Sequence, residues 1–470
     1  MSAHLKQDEP VTSNRLDGMK QGIVGQPLSR VDGLAKVTGT APYAAEYKID
    51  NVAEGVLVTA PITRGEVTSI DKDSVLSMPG VLAVVDDERL TTRAAQGTAN
   101  EAPKQDPATV CYWGQPIAVV VAETFEQARD AAKHLKVEYR VHEGAPLDPH
   151  QVTPEEQEDE TVNQGNLDAA MARAAHTVDV EIATEGHASA AMEPHAAIAE
   201  WRDDKLTVHA SLQMPNYNIA ELADSLGIKE SDIRLVSRYV GGGFGSKLGI
   251  SEETVAAAIA ARELGRPVRV VMSRQQVFQC IMRRSETTQK LRLASDEEGK
   301  LDGFAHHALV SNLPGEEFAE PVLQSSHFLY GGENRQLKLE VARIHRMTAG
   351  SVRAPGEAVG MPALEVAMDM LAEKSGVDPV ELRLRNIPDR NPEEDLPFSS
   401  HKLADCLRQG AEKFGWDSGP KKPRQQREGE WWMGTGMASA ARVHNVGEAK
   451  ARVTLKSDGT AVVQSDMTDI

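Results

Sequence analysis

Gly241-Gly242-Gly243-Phe244-Gly245-Ser246-Lys247 follows a strand-like run, Arg234 to Val240, and precedes a helix-like run, Ser251 to Leu264. A glycine-dense turn between strand and helix lets backbone N–H groups approach an anion. Glycine takes positive φ without a Cβ clash, and a helix start offers unpaired donors and partial positive charge. The stretch reads either as a cradle for a cofactor or phosphate or as a tight structural turn. Two familiar cradles are excluded: Ser246 rather than glycine precedes Lys247, which rules out a Walker A loop, and the six-residue frame from Gly241 ends on Ser246, which rules out a dinucleotide fingerprint.

Working outward, Leu206, Val208, Ala210 and Leu212 share one face of a strand, with Thr207, His209, Ser211 and Gln213 on the other. Gln213 ends the polar face just before Pro215. A helix is expected from Asn218 to Leu226, stopped by Gly227. Ser251 suits an N-cap, with Glu252 and Glu253 complementing the dipole in the first turn, and Asp378-Pro379 opens a helix running towards Asn386.

Nearer the N-terminus, strands at Val81–Val85, Pro116–Glu123 and Val137–Val141 alternate with short helices, one of them Thr124–Lys136 with a Thr124/Gln127 capping box. This predicts one compact mixed domain. The acidic stretch Pro154 to Glu160 reads as a solvated connector. A second connector, Gly419 to Gly429, precedes a hairpin of Ala451–Leu455 and Thr460–Ser465 around Asp458-Gly459. A lone hairpin cannot bury its own apolar face, so it either packs on the preceding domain or belongs to a truncated copy of something longer.

The chain has 470 residues and a net charge of −19, which disfavours nucleic acid and anionic lipid as partners. It contains no apolar run of membrane-spanning length. Cys111, Cys280 and Cys406 are far apart and cannot by themselves build an iron–sulfur or zinc site. The polar start, Met1 to Asn14, has neither a hydrophobic h-region nor twin arginines, so a cytoplasmic start is expected.

These residues together resemble the N-terminal portion of the large, molybdopterin-binding subunit of the xanthine dehydrogenase / aldehyde oxidoreductase family. The resemblance rests on Arg30-Val31-Asp32-Gly33 to Lys36-Val37-Thr38-Gly39, Met192-Glu193-Pro194-His195, the glycine turn through Lys247, Arg353-Ala354-Pro355-Gly356-Glu357, and Asp378-Pro379 through Asn386. It implies an α+β chain: a flexible tail over 1–24, an α/β hammerhead domain over 25–150, a first elongated molybdenum-cofactor-binding domain over 165–418, and the truncated start of a second over 430–470. Asp466 to Ile470 resembles the beginning of a glycine-rich pterin loop.

By the same resemblance, Gln213 approaches the apical oxo ligand of molybdenum, and Gly243, Phe244 and Gly245 lie with their backbone against the metal centre. Arg353 approaches the cofactor's other ligands. Lys247 reads by default as an exposed lysine, and His195 as a packed histidine rather than a metal ligand; no protein metal ligand is expected. The family's general-base glutamate falls beyond the last residue, so no catalytic residue is assigned.

The implied cofactor is molybdenum–molybdopterin, with a pterin dinucleotide as one form. The 2Fe-2S and FAD centres fall to a small iron–sulfur subunit and a medium FAD-binding subunit. Leu248 and Pro355 replace the glutamate and aromatic residue with which purine-oxidising relatives orient their substrate, which favours aldehyde oxidation to carboxylic acid, with water as oxygen source, over purine oxidation. The competing reading is a non-catalytic or decayed copy that docks partners as a scaffold. Export with a partner would place the chain in the periplasm instead of the cytoplasm.

Overall fold

A computed structural model describes residues 22, 25–90, 108–398, 400–416, 424, 426–442 and 450–465. The expected tail and the Asp466–Ile470 segment therefore lie outside the described residues, apart from residue 22.

Two sheets organise the chain. The first has seven strands in the order Ile233–Val236, Lys205–Ala210, Ala196–Arg202, Val268–Val271, Ala53–Thr59, Pro116–Ala122 and Val81–Val85. Its central seam is a parallel pairing of Ala53–Gly55 with Val268–Val270. The sheet thus crosses the expected boundary near residue 150. The residues read as a self-contained first domain supply only three of its strands, together with a separate three-stranded sheet of Thr109–Val110, Gly65–Asp71 and Lys136–Val141.

Strand Pro116–Ala122 is buried at every position. From Ala118 onward its side chains alternate, so Val119 and Val121 enter the main core beside Leu206, Val208 and Ala257, while Ala118 and Val120, with Ile117 at the strand's start, enter a smaller core with Val75 and Ala131. Each fully buried valine contributes roughly 1.5–3 kcal/mol, which explains an uninterrupted apolar run rather than polar alternation. The helix Phe125–His134 then forms with the expected Thr124/Gln127 capping box. The alanine-rich helix Glu252–Leu264 packs on the seven-stranded sheet with ten residues buried, since small side chains let it lie close.

The second sheet runs Glu155–Glu156, Asn334–Arg343, Leu301–Asn312, Thr287–Ser295 and His176–Thr184, with Val162–Gln164 also on Asn334–Arg343. Helix Glu357–Ser375 covers it, burying Leu364, Ala367, Met368 and Leu371 against Leu291, Leu293 and Leu339. The acidic stretch is therefore no free connector: Glu155 and Glu156 pair with Val341 and Glu340, where Arg343 and Lys338 compensate their charge. His327 further bridges Glu160 and Glu393 at 3.2 and 2.9 Å.

Three local expectations shift. The strand before the glycine turn stops at Val236, because the Ser237 hydroxyl takes over the next ladder position, accepting from Leu212 N at 3.0 Å and donating to Leu212 O at 3.1 Å. The helix expected from Asn218 begins at Pro215, where a missing N–H costs nothing. Asp378 caps Pro379–Asn386 as expected, accepting from Val380 N and Glu381 N. The Ala451–Leu455/Ala461–Ser465 hairpin forms with all ten strand residues exposed, and a second hairpin joins Gln426–Glu428, inside the expected connector, to Trp431–Met433. Among the described residues no helix is long and apolar enough to cross a membrane.

Candidate functional site

The glycine turn is bent by residues that only glycine tolerates comfortably. Gly245 has φ 101°, and a Cβ there would lie 1.8 Å from Ser351 O. A Cβ on Gly243 would lie 2.2 Å from the Gln213 amide oxygen. Phe244 adopts φ 55°, costly for a bulky residue, and the residue is 40% exposed.

Gln213 holds this bend from inside. Its Oε1 accepts from Gly245 N at 3.0 Å and Lys247 N at 3.2 Å, while its amide nitrogen makes no hydrogen bond among the described residues. The backbone N–H groups of Gly242, Gly243 and Phe244 are likewise without acceptors there. Consecutive donors of this kind form an anion-receptive concavity.

Arg353 meets the turn from the far end of the chain. Its N–H donates to Phe244 O at 2.8 Å, and its guanidinium sits 5.9 Å from the Phe244 ring centroid. Ala354 beside it also has a positive φ, 56°, so two strained turns face each other across one backbone hydrogen bond. Gln213, Gly243, Phe244, Gly245 and Arg353, far apart in sequence, are thereby brought together. The group that fits this donor set is electron-rich and bears oxygen: an amide N–H₂, exposed guanidinium donors and free peptide N–H groups all point to accepting atoms.

Lys247 departs from expectation. Rather than reaching solvent, it is fully buried and donates to Glu193 Oε2 at 3.0 Å, Glu193 O at 3.1 Å and Ser211 Oγ at 2.9 Å. Burial holds its pKa below the usual lysine value, against the pull of Glu193. Glu193 also accepts from Gly241 N at 2.6 Å, so one carboxylate ties both ends of the turn. His195 is buried, its Nε2 3.0 Å from Ser246 O, and burial pushes its pKa down to about 3, which keeps it neutral.

The helix after the turn does not serve as the cradle. Four residues separate Lys247 from the N-terminal residue Glu252, and both Glu252 and Glu253 are buried instead of facing solvent. Burial first, then the neighbouring Glu252, raises the Glu253 pKa to about 7. Ser251 donates to Glu253 and makes no cap hydrogen bond. Behind the turn, Glu221 accepts from Ile250 N at 3.0 Å and from Asn218, and burial raises its pKa to about 7. Glu193, Ser211, Glu221, Arg284 and Glu320 were not singled out from the sequence. Only Glu193 carried a signal, its place in Met192-Glu193-Pro194-His195.

Two family models match the chain: the molybdopterin cofactor-binding domain over residues 125–387, and the aldehyde oxidase and xanthine dehydrogenase a/b hammerhead domain over residues 38–143. The aldehyde oxidoreductase molybdenum-binding subunit PaoC of Escherichia coli K12 is 40% identical over 472 residues, covering 99% of this chain and 64% of that protein. The putative xanthine dehydrogenase molybdenum-binding subunit XdhA of the same organism is 28% identical, covering 94% and 63%. The aldehyde oxidoreductase of Desulfovibrio gigas superposes with a TM-score of 0.77 at 25% identity, over 92% of this chain and 51% of that one. The chain spans less than two thirds of the length of these relatives.

Proposed function

The chain belongs to the xanthine dehydrogenase / aldehyde oxidoreductase family of molybdenum-binding subunits, and from that premise we propose that it holds a molybdenum–molybdopterin cofactor and serves aldehyde oxidation. The observation that carries this reading is the convergence of the Gln213 amide, the Phe244-Gly245 backbone and Arg353. Bound there, the cofactor would supply two-electron oxidation with oxygen taken from water.

The chain's own residues hold and orient. The Gln213 amide N–H₂ would donate to an oxygen of the cofactor, and Arg353 would offer its planar fork to electron-rich oxygens. The N–H groups of Gly242, Gly243 and Phe244 approach closely because no Cβ intervenes at the two glycines. His195, held neutral behind the turn, adds no competing positive charge.

By the motif resemblance, Leu248 and Pro355 replace the carboxylate and the aromatic residue with which purine-oxidising relatives orient their substrate, which favours an aldehyde. The 40% identity to an aldehyde oxidoreductase subunit points the same way. Electrons would then pass to 2Fe-2S and FAD centres on partner subunits, as the family resemblance implies. The reading is tested by molybdenum content of the purified chain, and by rates on benzaldehyde and hypoxanthine in the complex with its partners. Near-stoichiometric molybdenum and faster benzaldehyde turnover are expected. Metal far below stoichiometry rejects cofactor binding, and preference for hypoxanthine rejects the aldehyde.

A further inference from the structure

The arginine turn is held from below by a buried ion pair. Arg284, with 5% of its side chain exposed, lies 2.7 Å from Glu320, which is fully buried. Its guanidinium donates to three successive carbonyls: Val352 O at 2.8 Å, Arg353 O, and Ala354 O at 3.3 Å. The same Glu320 oxygen accepts from Gly356 N at 2.7 Å. The pair therefore grips the turn at both ends, around Ala354 at φ 56° and Gly356 at φ 81°.

The turn has little freedom otherwise. A Cβ at Gly356 would lie 2.1 Å from Pro321 O, so the segment after Glu320 is pressed against it. Arg353 itself makes no side-chain hydrogen bond among the described residues; only its backbone is fixed. A left-handed alanine costs about 1–2 kcal/mol and persists only where surrounding bonds over-determine it. Arg284 supplies those bonds, and its fixed fork matches several carbonyls in a way a lysine's single ammonium cannot.

We propose that Arg284, braced by Glu320, is a positioning residue that sets the direction in which Arg353 presents its guanidinium to the ligand site beside Phe244. This rests on the cofactor-site reading above and extends it to a buried residue that touches no ligand. Arg284 acts through Arg353, so its loss is contained within the loss of Arg353.

The test uses the full chain with Arg284→Lys, which keeps the buried charge opposite Glu320, alongside Arg353→Ala and the double variant. Hydrogen exchange of cofactor-free protein is followed at residues 351–356, and molybdenum per chain is measured after production with the cofactor supplied. Arg284→Lys should speed exchange of the Arg353 and Gly356 amides about tenfold, while helix Glu357–Ser375 keeps its protection. Molybdenum content should fall, and the double variant should hold about as much as Arg353→Ala alone. Unchanged exchange in the turn, additive molybdenum losses, or loss of protection throughout the helix each overturn the proposal. If Arg353→Ala retains full molybdenum, the cofactor-site reading fails instead, while the exchange result still decides whether Arg284 fixes the turn.

Discussion

Lys247 Nζ lies 3.0 Å from Glu193 Oε2, with the lysine side chain wholly removed from solvent. A buried pair is weak evidence of stability by itself, but breaking it strands a charge. Lys247→Met should therefore destabilise the protein by roughly 3–5 kcal/mol, read as a shift of the denaturant midpoint with unchanged slope. Glu193→Gln strands the still more deeply buried Lys247 ammonium and should cost a similar amount, even though Gly241 N and Ser211 Oγ keep an acceptor. Equal stability of Lys247→Met and the parent chain would show that the pair does not anchor the turn.

Gln213→Ala and Arg353→Ala remove donors that face the proposed ligand, not the core. Each should lower molybdenum content and aldehyde turnover by about 10–100-fold; Arg353→Ala should leave the melting temperature within a few degrees, whereas Gln213→Ala also strips the acceptor from Gly245 N and Lys247 N and should lower it. Full activity in both would remove them from the site.

Two glycines at positive φ, Gly227 at 66° and Gly245 at 101°, should respond unequally to alanine. Gly227 has nothing within 4 Å of an added Cβ, so Gly227→Ala should cost about 1 kcal/mol from backbone strain alone. Gly245→Ala must also push Ser351 O away, so roughly 2–4 kcal/mol is expected, together with exposure of Arg353 N. Thermal unfolding of the two variants side by side checks the contrast.

His327 carries a pH signature. Burial opposes its protonation, but Glu160 and Glu393 outweigh that and raise its pKa to about 9. A histidine raised in the folded state contributes stability that is fully present below its unfolded value near 6.5 and is lost as pH rises through about 9. The advantage of the parent chain over His327→Gln should therefore be largest below pH 6.5 and shrink across that window. A constant difference from pH 6 to 10 would show that the histidine is not charged there.

Elements set by local pattern were legible in the sequence. Strand Pro116–Ala122, the Thr124/Gln127 box, the Asp378 cap and the Asp458-Gly459 hairpin depend on residues adjacent to one another. The turn and its approach to Gln213 and Arg353 came from a resemblance of motifs, since no periodicity links residues 213, 244 and 353. What stayed hidden depends on burial. Lys247 looks like any surface lysine until Glu193 closes over it, and Glu252 and Glu253 look like dipole-compensating carboxylates until the helix packs. Arg284 and Glu320 sit in no motif at all, and their pairing appears only when the two sheets are assembled around the turn.

The central seam of the seven-stranded sheet sets a schedule for biosynthesis. Ala53 must wait for Val268, and at 5–20 residues per second the roughly 200 intervening residues take about 10–40 s to translate. Through that interval one edge of Ala53–Thr59 is open beside Pro116–Ala122, already paired on its other side. The nascent chain therefore carries an unclosed sheet margin on the ribosome, open to mispairing until Val268–Val271 arrives to close it.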